Sequence, residues 1–334
     1  MENPSCSLAL VIFLSVAVAA NADSGSAPWS VKSGDSGSIS LSGPCSQIRS
    51  EVETLRSWTL SRGESAANLP EIEQHGTTCI AQIEGVLPGF VRQFQGIHPN
   101  HGIGIGPNCY NLALQTANII PGFRYVHGSE FENILTSPLC KKVPLDEPLR
   151  PGDIGAIRTK YYPAPLGKNY HPTSPNVHGY IHISDNLIFS KDGTRDDAPV
   201  TIEDVNAILG AGWTIPDTSR CRRTNDSPED SCEHWITYYR CESLETFIQG
   251  HISTVTPESL DLLQRTTRSE DEISDAKLGK GTITQERRRQ FGAEFAQLRG
   301  LIDAAITRTS DPASLLILQN LNDRILSMKI AMGL

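Results

Sequence analysis

Cys109 stands where the glycine-bearing stretch HGIGIGPN (101–108) gives way to the apolar run YNLALQTANII (110–120). A thiol attacks a carbonyl well only as its thiolate. This spacing predicts a helix beginning at or near Cys109, where unpaired amides and the helix field favour the anion. The expected thiol pKa therefore lies below the ordinary value of about 8.5. His178 lies near the start of VHGYIHI (177–183), a run of strand character. An imidazole held there could take the thiol proton and later return it to a leaving group. The Cys109 amide and a neighbouring group could hold the oxyanion. His182 falls on the same strand face as His178 by the two-residue period and could line a cleft. Each residue also has a plain structural reading: a disulfide for Cys109, a buried hydrogen-bonded strand histidine for His178. Gly102, Gly104 and Gly106 do not match a phosphate loop, since no Lys-Ser/Thr pair follows; they let the backbone turn tightly into the cysteine helix.

The elements that must position these residues follow from periodicity. Ile48, Val52, Leu55 and Trp58 recur at helical spacing within 47–62. Residues 77–95 carry a second apolar pattern, interrupted at Pro88-Gly89, and the two together suggest a small helical prelude. After the cysteine helix come two extended stretches, DIGAIRTKYY (153–162) and VHGYIHI (177–183), then a turn at Ser184-Asp185-Asn186 into LIFSK (187–191). A helix followed by antiparallel strands is an α+β pattern. Residues 216–233 read as a disulfide-held loop. Residues 291–306 and 314–334 read as helices, the second opened by Asp311-Pro312. Charged and polar residues dominate 248–285, which reads as a boundary.

The chain has 334 residues, 38% hydrophobic and 20% charged, enough for one large or two smaller cores. Its formal net charge is −9 with no offsetting basic stripe, which disfavours nucleic acid as a partner. At 6%, aromatic residues are too few for broad stacking surfaces. The apolar run LALVIFLSVAVAA (8–20), followed by Ala20-Asn21-Ala22, reads as an export signal cleaved after Ala22, although no Lys or Arg precedes it. Of eight cysteines, Cys6 would leave with that signal, so seven remain: an odd number. Three disulfides and one thiol reserved for chemistry is the simplest distribution in an oxidising compartment. Cys45 and Cys79 could staple the first helix, and at least one of Cys221, Cys232 and Cys241 should pair outside its cluster. No zinc-ligand spacing appears, and neither a metal nor a cofactor is expected. Asn225-Asp226-Ser227 fits a glycan acceptor if the source is a eukaryote.

Three motifs together resemble the NlpC/P60 cysteine peptidases, a compact papain-like family. Asn108-Cys109-Tyr110-Asn111-Leu112-Ala113 resembles the nucleophile motif, Leu149-Arg150-Pro151-Gly152-Asp153-Ile154 the signature before the first core strand, and His178-Gly179-Tyr180-Ile181-His182-Ile183 the histidine strand. They occur in the family order over about residues 100–195. Asn108 and Asn111 replace an acidic residue and a glycine. Ser190 occupies the position where the family often carries a third catalytic histidine, and is a weak orienter of an imidazole. Asp192 would be stronger chemically but is at the wrong distance along the sequence.

The resemblance implies a papain-like core, a cysteine-bearing helix packed on an antiparallel sheet, with helical N- and C-terminal additions. It implies catalytic Cys109, His178 and Ser190. The implied activity is amide hydrolysis through a thioester, with a peptidoglycan stem peptide or another peptide as substrate. The expected organisation is a signal at 1–22, a flexible Ser/Gly-rich leader at 23–44, a catalytic domain with its prelude at 45–248 and a helical region at 249–334. The mature form is expected to be secreted or periplasmic, without a membrane segment. The competing expectations are protein acyl transfer or deamidation, and a secreted binding or scaffold protein with a degenerate site.

Overall fold

The protein is described by a computed structural model over residues 29–33, 38–65, 70–97, 105–159, 176–192, 199–209, 215, 220–224 and 231–334. The expected signal at 1–22, Gly102, Gly104 and the Asn225-Asp226-Ser227 acceptor lie outside the described residues. The chain divides into two units, one ending its described part at Phe94 and the other beginning at Gln95.

In the first unit, Ile39 and Leu41 alternate with serines, and this two-residue period makes a strand whose apolar face is buried. That strand is β2 (Ile39–Pro44), paired with β1 (Ser30–Ser33). The expectation of a flexible leader through residue 44 is thus corrected: serine-rich composition masks a strand alternation. Helix α1 (Cys45–Ser61) buries Ile48, Val52, Leu55 and Trp58, as its periodicity predicts. The helical prelude is also corrected. Residues 77–95 contain β4 (Thr78–Gln82), whose Cys79 and Ala81 point inward, before α2 (Gly89–Phe94). With β3 (Ile72–His75) they complete an antiparallel sheet of order β1-β2-β4-β3, so this addition is mixed α and β. The Cys45–Cys79 disulfide ties the start of α1 to β4.

The second unit opens with α3 (Cys109–Thr116) and α4 (Gly128–Leu135). Its strands are β5 (Cys140–Lys142), β6 (Ile154–Thr159), β7 (Asn176–His182), β8 (Leu187–Lys191), β9 (Val200–Asp204) and, after the short α5 (Val205–Ala207), β10 (His234–Cys241). They form one antiparallel sheet of order β5-β10-β6-β7-β8-β9. One face carries α3 and α4: a Cβ placed on Gly179 of β7 would lie 2.8 Å from Phe131 and 3.3 Å from Tyr110. The other face holds a core built on Ile157, Tyr180, Ile188, Leu209, Ile236 and Tyr238, closed by the Cys221–Cys232 disulfide. Cys140–Cys241 joins the paired strands β5 and β10, so Cys241 does pair outside its cluster. The chain is therefore a mixed α+β protein with helices packed on antiparallel sheets.

Four helices complete this unit: α6 (Leu244–Gly250), α7 (Pro257–Lys277), α8 (Gln285–Arg308) and α9 (Pro312–Met332). The last three pack on one another, and α9 also packs on α4. Asp311 caps α9 through the Ser314 amide, with Pro312 in its first turn. The stretch read as a boundary contains α7, whose buried stripe includes Leu262, Thr266, Ser269, Glu270 and Ile273. Among the described residues no helix is long and apolar enough to cross a membrane. Three disulfides fit an oxidising compartment.

Candidate active site

The start of α3 is built by two asparagines. Asn108 adopts an extended conformation and its side-chain oxygen accepts the Asn111 N–H at 3.2 Å, a helix N-cap. Its side-chain amide donates to the Val126 carbonyl at 2.8 Å. The Asn111 amide donates to the Gly122 carbonyl, also at 2.8 Å. Both residues that depart from the resembled motif therefore fasten the first turn to the loop between α3 and α4. Cys109 is the first helical residue, 2% exposed, and keeps its thiol while six other cysteines are taken up in disulfides. Tyr110 stacks on Phe131 with ring centroids 4.6 Å apart, which seats α3 against α4.

The Pro-Gly-Asp element has a structural chemistry of its own. Gly152 sits at φ +100°, a conformation that excludes side chains without strain. Its N–H donates to the His182 carbonyl at 2.9 Å, and the His182 N–H donates to the Asp153 carbonyl at 2.8 Å. The buried Asp153 carboxylate accepts two bonds of 2.8 Å from Arg240 and one of 2.8 Å from the Arg150 N–H. The turn thus fixes the entry of β6 against β7 and β10.

His178 lies on β7, the strand beneath α3, and is buried. The contact of Tyr110 with Gly179 joins the residues that immediately follow Cys109 and His178. His178 shares a face with Tyr180, their rings 6.4 Å apart, and Tyr180 shares a 2.7 Å hydrogen bond with Tyr238. His182 meets the Tyr238 ring edge-on at 5.9 Å. His178, Tyr180 and His182 therefore leave β7 on the side opposite Gly179 and α3. The β6–β7 pairing shifts register immediately before His178.

Burial holds the His178 imidazole down at about 4, against the opposing charge of Asp192. Burial likewise holds His182 at about 4, opposed by Asp185 and Asp153. The pairing Ile181↔Phe189 and His182↔Ile188, carried on in register, sets Asp192 opposite His178 and Ser190 opposite Tyr180. Asp192, at the wrong distance along the sequence, is thus the carboxylate that faces His178 across the strands. Ser190 is buried and donates to Glu203 Oε1 at 3.3 Å. Burial, with Asp192 adding to it, raises Glu203 to about 7, while the Ser190 bond acts to lower it. Sequence reasoning misses Glu203, because the short strand β9 carries no motif that singles it out. It misses Lys191 as well, which is wholly buried and, by alternation from Ser190, faces α3. Among the described residues no group of three or more His, Cys, Asp or Glu side chains could hold a metal ion.

Compared with known proteins, the chain matches no family model, no curated protein and no solved structure.

Proposed function

We propose that the protein is an exported cysteine hydrolase of NlpC/P60-like, papain-like type that cleaves an amide bond, with Cys109 as nucleophile and His178 as base. The observation that carries this reading is the thiol of Cys109 at the capped start of α3, packed on the strand of His178. The order of cysteine helix, Pro-Gly-Asp turn and histidine strand supports it. Neutral His178 takes the thiol proton, and the sulfur adds to the substrate carbonyl carbon. The C–N bond then breaks, the imidazolium gives its proton to the departing amine, and a thioester remains. Water, deprotonated by the same imidazole, adds to the thioester, and the acid leaves as the C–S bond breaks. For this to occur His178 has to be re-aimed toward α3, and the register shift beside it is the kind of irregularity that turns a strand side chain. Asp192 is the orienting group in this scheme, ahead of Ser190. A peptidoglycan stem peptide is the proposed substrate class.

The test is mass analysis of purified cell-wall fragments incubated with wild type and Cys109→Ala. Wild type should release new amine and acid ends, and the variant none. No product from wild type, with or without reductant, removes the wall-hydrolase reading.

A second reading rests on the divergence of side chains along β7. If His178 stays with Tyr180, the chain is a secreted, disulfide-stabilised binding protein whose site is degenerate. Iodoacetamide labelling separates the two. A Cys109 that labels much faster than an unfolded-chain thiol, and slows in His178→Ala, supports the enzyme. A Cys109 that labels slowly in both supports the binding protein.

A further inference from the structure

The loop Gly122–His127 has two sides. Its inner side is bound by the start of α3, where Asn111 takes the Gly122 carbonyl and Asn108 the Val126 carbonyl, each at 2.8 Å. Its outer side is bound by the C-terminal helices. The Phe123 N–H donates to Ser274 of α7 at 2.8 Å, and the His127 N–H donates to Ser327 of α9 at 3.0 Å. Gly122 is pressed so closely on α7 that an added Cβ would lie 3.1 Å from the Ser274 Cβ and 3.3 Å from the Glu270 carbonyl. The chain entering Cys109 is held from the same quarter, because the Ile105 N–H donates to the Ala331 carbonyl of α9 at 2.9 Å.

A closed set of charges locks this arrangement. Arg124, in the loop, pairs with Glu130 of α4 at 2.5 Å and with Glu270 of α7; Glu270 pairs in turn with Arg324 of α9. All four side chains are 0% exposed. The Ser327 hydroxyl donates to Glu130 at 2.5 Å, so one side chain of α9 serves both the charges and the loop backbone. Two positive and two negative groups balance, and loss of any one leaves an uncompensated buried charge. The half-polar buried stripe of α7 is thereby accounted for: Glu270 faces inward to receive Arg124 and Arg324.

We infer that the C-terminal helices are part of the apparatus that aims Cys109, with Ser327 and Ser274 as positioning residues acting through the loop Gly122–His127 and the two asparagines. This rests on the proposed role of Cys109 as nucleophile. The serines touch no substrate and supply only the outer anchors that keep the first turn of α3 in place.

The experiment uses the full-length chain and three variants, Ser327→Ala, Ser274→Ala and the hydroxyl-retaining Ser327→Thr. Iodoacetamide alkylation of Cys109 is measured across pH, beside amide hydrogen exchange at Asn111 and thermal unfolding. Ser327→Ala should slow alkylation at neutral pH about tenfold and speed exchange at Asn111 by a similar factor, the worth of the loop anchor it takes from the His127 N–H. Ser274→Ala should act in the same direction, and Ser327→Thr should restore most of the alkylation rate. If both alanine variants lower the melting temperature yet overlay wild type in the pH profile and at Asn111, the serines are structural and the inference is overturned. If wild-type Cys109 itself reacts no faster than an unfolded-chain thiol, the nucleophile reading falls; exchange at Asn111 still decides whether α7 and α9 hold the start of α3.

Discussion

Replacing His178 by glutamine should make the protein less sensitive to acid. Burial holds the imidazole at about 4, well below its ordinary 6.5. Between those values the unfolded chain binds the proton and the folded chain does not, so stability falls as pH falls. The contribution is complete above pH 6.5 and is lost progressively as pH drops toward 4. At pH 4.5 the unfolded imidazole is almost wholly protonated and the folded one mostly neutral, which costs on the order of 2–3 kcal/mol relative to pH 7.5. Glutamine has no proton to bind in either state. Urea unfolding of wild type and His178→Gln at the two pH values measures the difference, and His182, unchanged in both proteins, cancels. Ring chemical shifts followed by NMR locate the titration directly. Equal acid losses in the two proteins, within about 0.5 kcal/mol, or a His178 titration at or above 6.5, would refute the buried neutral imidazole. The result bears on mechanism, because a neutral imidazole accepts a thiol proton and an imidazolium already formed cannot.

Asp153→Ala removes the acceptor of two Arg240 bonds and of the Arg150 amide, and should cost about 3 kcal/mol in urea unfolding; a cost below 0.5 kcal/mol, on the order of a surface substitution, would show that the turn does not depend on it. Gly179→Ala drives a methyl within 2.8 Å of Phe131, so it should cost about 1–3 kcal/mol and alter the near-ultraviolet circular dichroism of the Tyr110–Phe131 stack; an unchanged spectrum and melting temperature would contradict the close packing of α3 on β7. Removing Cys140–Cys241, which closes 101 residues, should cost about 5 kcal/mol, against about 3 kcal/mol for Cys221–Cys232, which closes 11; paired serine variants compared by unfolding test the order, and the reverse ranking would contradict chain entropy as the main source of the stabilisation.

The elements nearest the candidate site are the most legible in the sequence. LIFSK forms β8 over the same residues, Leu187–Lys191, and Cys109 opens its helix, because apolar periodicity and a capping asparagine coincide there. Elements whose buried faces are not apolar escape. Helix α7 buries Thr266, Ser269 and Glu270, so a search for apolar spacing finds a boundary where a helix lies. Strand β10, HWITYYRC, begins where the stretch read as a disulfide-held loop ends and is not singled out, yet it pairs with both β5 and β6. At the site, the two-residue period correctly puts His178 and His182 on one face. It does not say which face α3 covers, since that depends on where Gly179 leaves room for Tyr110 and Phe131. Counting along the chain discards Asp192, whereas strand register measures distance across it.

The two asparagines beside Cys109 show how a departure from a motif changes meaning once its bonds are known. An acidic residue before Cys109 would cap the helix equally well but would set a negative charge beside a sulfur that becomes negative in the proposed mechanism. Asn108 caps without that charge and uses its amide to hold Val126, a bond a carboxylate could not donate. Asn111 holds Gly122 in the same manner. The first turn of α3 is therefore tied to a loop whose other side is tied to α7 and α9. Replacement of acid and glycine by two amides is coherent with a chain that fixes its cysteine by hydrogen bonds to a buttressed loop. The opposite face of β7, with its two depressed histidines, two hydrogen-bonded tyrosines and the Asp192–Glu203 pair, is another concentration of titratable groups in this unit. Whether His178 serves Cys109 or stays with that face is the point on which the two proposed readings, hydrolase and binding protein, part.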